Sequence, residues 1–138
     1  MATENEGTVV IRTDSLSAKS AEGPAVVVQL HPPGPNMGRR FELAQGETIV
    51  GRQADAGIPI DADSVSRRHA SFRRAASGWV VEDLGSTNGC FVNDQKVKLH
   101  PLKSGDLVRC GEAILKFLAG SNIEAAYHEE IYRMSIMD

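Results

Sequence analysis

A chain of 138 residues with 41% hydrophobic content is long enough to bury one self-sufficient core without disulfides or metals. Its formal net charge of -3 argues against a nucleic-acid-binding surface, and no apolar run approaches the ~20 residues of a membrane span. The N-terminal MATENEG lacks the basic-then-apolar order of a signal peptide, so the expected location is the cytoplasm.

Residues 1–24 are rich in Thr, Ser, Glu and Gly, and their one apolar cluster, Val9 to Ile11, is too short to bury anything alone. A disordered tail is expected there. From Ala25 the pattern changes to short strands. AVVVQL is β-branched and apolar, and the following HPPGPNMG breaks it with three prolines and two glycines. Strands are expected at 25–30, 40–43, 48–51, 58–60, 70–74, 79–83, 90–92, 97–99, 107–110 and 113–118. Pro59 confines its piece to an edge or an irregular position. Turn chemistry sits at Gln45-Gly46, Ser77-Gly78, Gly85-Ser86, Asn93-Asp94 and Ser104-Gly105-Asp106. About ten short strands at this spacing point to an all-β sandwich. Cys90 and Cys110 lie inside apolar runs and match no zinc or redox spacing, so they read as buried, reduced thiols.

The stretch 120–138 is different. Ser121 and Glu124 have the spacing of a capping box, and apolar residues recur at Ile123, Tyr127, Ile131 and Met134. Glu124, His128, Glu129, Glu130 and Arg133 form the polar positions of this expected amphipathic helix. So short a helix is marginal alone in water and needs a partner surface. That surface is the sandwich, a second chain, or a further domain.

Ser66, His69 and Asp83 invite comparison with a hydrolase triad, but no G-x-S-x-G elbow surrounds Ser66. The four histidines are scattered, which disfavours a metal site. The segment GSTNG lacks the Lys-Ser/Thr of a phosphate-binding P-loop. Anion recognition by loops fits better. Arg52 follows a strand end and a glycine, and its guanidinium can fork onto a phosphate. Ser66 offers a short hydroxyl donor, Arg67 a second charge, Thr87 another hydroxyl, and Asn88 an amide that both donates and accepts. Gly51, Gly85 and Gly89 permit the sharp loops these groups require.

At Gly51-Arg52, SRRHA (66–70) and DLGSTNGCFVN (83–93) the chain resembles a forkhead-associated (FHA) domain, over roughly residues 25–119. The resemblance implies an FHA-type (SMAD/FHA) eleven-strand β-sandwich whose loops at one end bind phosphothreonine peptides. By position, Arg52 contacts the phosphate or adjacent peptide backbone, Ser66 donates to the phosphate with Arg67 close by, Thr87 lies against the phosphothreonine, and Asn88 holds the peptide backbone. Gly51, His69 and Gly89 are implied structural positions, with His69 tying the recognition loops together. Cys90 departs from the Thr frequent in the family, on a strand outside the binding set.

The C-terminal run is similar to the linker joining bacterial FHA domains to GGDEF diguanylate cyclases. That likeness implies a regulatory fragment, a cyclase partner making cyclic di-GMP, and a homodimer through the helix. The alternatives are a stand-alone FHA adaptor or a phospho-independent interaction domain. The ligand is then a phosphothreonine protein, or the chain's own tail after an upstream Ser/Thr kinase modifies Thr3, Thr8 or Thr13. Thr8 with Ile11 and Thr13 with Leu16 resemble sequences some FHA domains prefer. No catalytic residue, metal or cofactor is expected in this chain.

Overall fold

The computed structural model describes residues 24–43, 46–76, 78–120 and 123–135. The expected tail with Thr3, Thr8 and Thr13 lies outside the described residues, as do Gln45, Ser77 and the capping residue Ser121. Eleven strands follow in chain order: β1 (Ala25–His31), β2 (Arg40–Glu42), β3 (Glu47–Gly51), β4 (Ile58–Pro59), β5 (Ala70–Ala75), β6 (Gly78–Asp83), β7 (Cys90–Val92), β8 (Gln95–Val97), β9 (Leu99–Pro101), β10 (Leu107–Cys110) and β11 (Ala113–Ala119). A single helix, α1 (Ile123–Ser135), closes the described chain.

The strands form a six-stranded sheet, β2-β1-β11-β10-β7-β8, and a five-stranded sheet, β4-β3-β5-β6-β9. Pro59 sits on the edge strand β4, where its missing N–H costs nothing, and β4 runs parallel to β3. The one strand expected around Val97–Leu99 is instead two. Val97 ends β8 against Cys90 in the first sheet, and Leu99 opens β9 against Glu82 in the second. One residue, Lys98, carries the crossover, and its carbonyl accepts from Asp83 N–H at 2.8 Å. Periodicity cannot signal such a change of sheet, because the strand conformation barely pauses. The turn between β7 and β8 has Asn93 and Asp94 at φ 49° and 72°, the left-handed pair a tight two-residue hairpin demands.

Inward side chains from both sheets make one core, with Phe72, Trp79, Val81, Val108, Leu115 and Phe117 at its centre. Trp79 and Phe117 meet at a tilted 6.4 Å. A second cluster explains why β1 is apolar on successive residues rather than alternate ones. Ala25 and Val27 face the core, whereas Val26 and Val28 face outward and pack with Leu118, Ile123, Ala126 and Tyr127 under α1. Of the three surfaces open to the helix, it takes its own sandwich. Arg40 clamps its first turn, 2.7 Å from Glu124 and stacked 5.1 Å over Tyr127. The hydrogen bond from Arg40 holds the Glu124 carboxyl below its usual range. None of the described helices is long and apolar enough to cross a membrane.

Glu130 corrects the expected polar face. It is 8% exposed and bound to Lys116 of β11 at 2.8 Å. Seven residues make nearly two helical turns, so Glu130 lies directly above Ile123 on the stripe that docks. Lys116 points out of the sheet on the face α1 covers, and supplies the counter-charge. Glu130→Ala strands that ammonium under the helix and should cost about 2 kcal/mol, the usual buried-pair penalty reduced for partial exposure. The double change Lys116→Met/Glu130→Leu should restore wild-type stability in urea unfolding, because it removes both charges together.

Candidate functional site

Three loops meet at one end of the sandwich: 52–57 after β3, 60–69 before β5, and 84–89 between β6 and β7. Their positions are set by backbone bonds to strand ends. Arg52 N–H donates to the Ser66 carbonyl at 3.0 Å, His69 N–H to Val50 at 2.8 Å, and Leu84 N–H to His69 at 3.0 Å. Gly51 is obligatory for a steric reason, since a Cβ there would overlap the Arg67 carbonyl. The sequence assigned Gly51 a structural role, and close approach of two chain segments is its physical content.

His69 is fully buried with both ring nitrogens engaged. Nδ1 accepts from Ser66 N–H at 3.0 Å, and Nε2 donates to the Gly89 carbonyl at 2.7 Å. Those partners fix the tautomer with its hydrogen on Nε2. One ring therefore joins the second loop to the third. Asp83 organises the third loop from its base, accepting from Gly85 N–H, Ser86 N–H and the Ser86 hydroxyl, while Ser86 Oγ accepts from Gly89 N–H at 2.9 Å. Gly85 and Gly89 have φ of 80° and 85° within this loop. The triad geometry is thus replaced by two separate braces: His69 faces a carbonyl, and Asp83 serves backbone amides.

Arg52, Ser66, Arg67, Thr87 and Asn88 line one open cavity of about 350 Å³, together with Asp63 and Ser64. The Ser66 hydroxyl accepts from Thr87 N–H at 3.1 Å, which leaves its own hydrogen to donate to a ligand oxygen. Asn88 spends one amide hydrogen on the Ser64 carbonyl at 2.8 Å and keeps its carbonyl oxygen and second N–H for a peptide backbone. Arg52 and Arg67 are exposed at the rim. Two cations against the single carboxylate of Asp63, with a hydroxyl donor and an amide around a water-open space, suit a dianion attached to an extended peptide.

Sequence reasoning missed Ser64. Its hydroxyl accepts from Glu112 N–H at 2.9 Å and donates to the Glu112 carboxylate at 3.1 Å, and its carbonyl packs where Gly111 leaves no room for a Cβ. The β10–β11 turn thereby supports Asn88 from behind. A residue whose work is done by its backbone carbonyl leaves no side-chain signature. A second groove of about 420 Å³ shares Arg67 but mixes Arg68 with Glu42, Glu47 and Asp55, so its charges oppose one another. Among the described residues, no group of three or more His, Cys, Asp or Glu side chains could hold a metal ion.

Comparison with known proteins places the chain in a family. The FHA domain family model matches residues 48–111. The chain is 44% identical over 100 residues to an oxoglutarate dehydrogenase inhibitor of Corynebacterium jeikeium, covering 72% of this chain and 68% of that protein. It is 40% identical over 130 residues to the glycogen accumulation regulator GarA of Mycobacterium tuberculosis, covering 83% and 80%. Among solved structures, an FHA domain from work on phosphothreonine-dependent FHA domain interactions superposes with a TM-score of 0.63 at 30% identity, covering 71% of this chain and 98% of that one. The FhaA FHA domain, solved with the intracellular domain of Rv3910, gives 0.60 at 31%, covering 67% and 98%.

Removing the His69 ring tests the brace. His69→Ala should cost about 3 kcal/mol in urea unfolding, from the cavity and the stranded Ser66 and Gly89 groups. His69→Phe should recover part of that stability by filling the space. Amide exchange at Ser66 should nonetheless stay fast in both variants.

Proposed function

The chain belongs to the FHA domain family, and from that premise we propose that it is a phosphothreonine-binding adaptor that regulates a partner protein without catalysing a reaction itself. The observation that carries this reading is the convergence of Arg52, Ser66, Arg67, Thr87 and Asn88 on one cavity. In this reading Arg52 and Ser66 take the phosphate oxygens, Arg67 adds charge, Thr87 lies against the phosphothreonine, and Asn88 holds the peptide backbone. A Ser/Thr kinase creates the ligand. Unmodified threonine offers no negative charge for the two arginines, so phosphorylation supplies most of the discrimination.

The matched relatives favour the stand-alone adaptor over the expected cyclase fusion. They are described as an inhibitor of oxoglutarate dehydrogenase and a regulator of glycogen accumulation, and the chain spans 68% and 80% of their lengths. Nothing in them supports the diguanylate cyclase or a helix-mediated homodimer, and the apolar face of α1 is occupied by β1 and β11. A dehydrogenase of central carbon metabolism is accordingly the partner class we propose.

The chain's own tail is a second source of ligand that the geometry allows. β1 follows Pro24 at the far end of the sandwich and runs to His31, whose Nδ1 contacts the Glu112 carbonyl beside the site. The seven residues of β1 span roughly 23 Å. The 11 steps along the chain from Thr13 to Pro24 reach up to ~38 Å when extended, enough to return to the cavity.

Titration calorimetry with matched phosphorylated and unphosphorylated threonine peptides tests the proposal. The phosphorylated peptide should bind and its partner should not. Arg52→Ala and Ser66→Ala should each weaken binding by about 1.5–3 kcal/mol, roughly 10- to 150-fold in Kd. Equal binding of the two peptides would sink the proposal.

A further inference from the structure

Two nucleophiles that phosphopeptide binding does not use lie at the base of its loops. Cys90 is the first residue of β7 and Cys110 the last of β10, and antiparallel pairing sets them directly opposite one another. They are the chain's two cysteines; both are free, and both are 0% exposed on the inner face of the sheet. Residues directly opposite in an antiparallel ladder have Cα atoms about 4.5–5.5 Å apart. A disulfide spans about 4.4–6.8 Å between Cα atoms, so the Cα spacing of the pair is within its range. Cys90 beside it, and then burial, push the Cys110 thiol well above its ordinary range.

Their position gives the pair consequences. Cys90 follows Gly89, whose carbonyl receives the His69 Nε2 hydrogen at 2.7 Å, and Asn88 comes just before. Cys110 precedes Gly111, which packs on the Ser64 carbonyl that holds Asn88. With both thiols buried, an oxidant reaches them only when the sheet edge opens. β7 and β8 are three-residue strands at the end of the six-stranded sheet, and no β8 residue is buried. Such an edge opens locally at lower cost than the whole domain unfolds.

We propose that Cys90 and Cys110 are a reversible redox site, forming a cross-strand disulfide that weakens the phosphopeptide cavity above it. The oxidant is a low-molecular-weight disulfide, RSSR. The Cys90 sulfur gives up its proton and attacks one sulfur of RSSR, making a mixed disulfide and releasing one RSH. Cys110 then attacks the Cys90 sulfur, releasing the second RSH. Two protein thiols are oxidised and one RSSR is reduced to two RSH. The Cβ atoms of such opposite residues lie about 4.5–5.5 Å apart and a disulfide needs about 3.8 Å, so closing the ~2.05 Å S–S bond draws the strand ends at Gly89 and Gly111 together. The Gly89 carbonyl then leaves its alignment with His69. The loss of affinity rests on the phosphopeptide reading above, whereas formation of the bond does not.

The test equilibrates the 138-residue chain in oxidised and reduced glutathione, followed by intact mass, a non-reducing peptide map, calorimetry and hydrogen exchange. The oxidised chain should lose two hydrogens, show the Cys90–Cys110 cross-link, and return to its starting mass with dithiothreitol. Its Kd for a phosphothreonine peptide should rise roughly fivefold, about the effect of one lost hydrogen bond, and amides of 84–89 should exchange faster. Cys90→Ala should bind equally in both buffers. Thiols that stay free, or that stop at a glutathione adduct, would overturn the redox site. A cross-link that leaves affinity and exchange unchanged would overturn the coupling. If the reduced chain binds no phosphopeptide, the phosphopeptide reading fails instead, and exchange at 84–89 still decides the coupling.

Discussion

One imidazole carries the architecture of the site. His69 is the point where two loops that are far apart in sequence become a single surface, because its ring spans the Ser66 amide and the Gly89 carbonyl. The Gly89 bond is buried and the Ser66 bond partly so, and there an unmet partner pays a desolvation cost. The ring cannot move without stranding both ends. This gives the loops rigidity that their own composition of Ser, Thr, Asn and Gly would not supply. The ligand-facing side chains can then be exposed and still be held in place from behind. Ser66 and Asn88 illustrate the economy of the arrangement: each makes one bond inward and keeps its remaining hydrogen-bonding capacity outward.

Much of this was legible because loops and strands leave different marks. Alternating apolar residues and turn pairs located the strands, and the spacing of Gly51-Arg52, Ser66 to His69 and Thr87-Asn88 pointed to the loops that meet around one cavity. What stayed hidden was work done by backbone or by packing. Ser64 acts through its carbonyl, and Gly51 through an absent Cβ against the Arg67 carbonyl. The crossover at Lys98 divides one apparent strand between two sheets. Glu130 was misread because a charged residue was assumed to face water. Its position seven residues after Ile123 already placed it on the docking stripe, and only the partner Lys116 was missing from a one-dimensional view.

The helix alters the meaning of the first strand as well. A run such as Val26-Val27-Val28 buries alternate side chains in opposite directions, so it needs cover on both faces. The core supplies one and α1 the other. The α1 contact is anchored by charge at two points, Arg40–Glu124 at the rim and Lys116–Glu130 beneath. Apolar packing alone would leave a short helix free to slide along a smooth sheet. A partly buried ion pair is a weak source of net stability, but it penalises every register in which the charges fail to meet. In this fold the pair fixes where the helix sits more than how tightly it is held.

A site braced in this way suits a reversible signal. Because the loops are ordered before ligand arrives, little binding energy goes into ordering them, and the affinity depends mainly on contacts to the incoming group. In the proposed reading those contacts are two exposed guanidinium groups and a hydroxyl donor, all of which gain from a dianion and little from a neutral threonine. Exposure to water keeps each interaction modest. The sum can therefore discriminate the modified ligand while still releasing it when the phosphate is removed. The same logic places the vulnerable point behind the contacts instead of among them. Any displacement at Gly89 or Gly111 acts on Asn88 and His69 at once, so the braces below the cavity control its affinity as directly as the residues that touch the ligand.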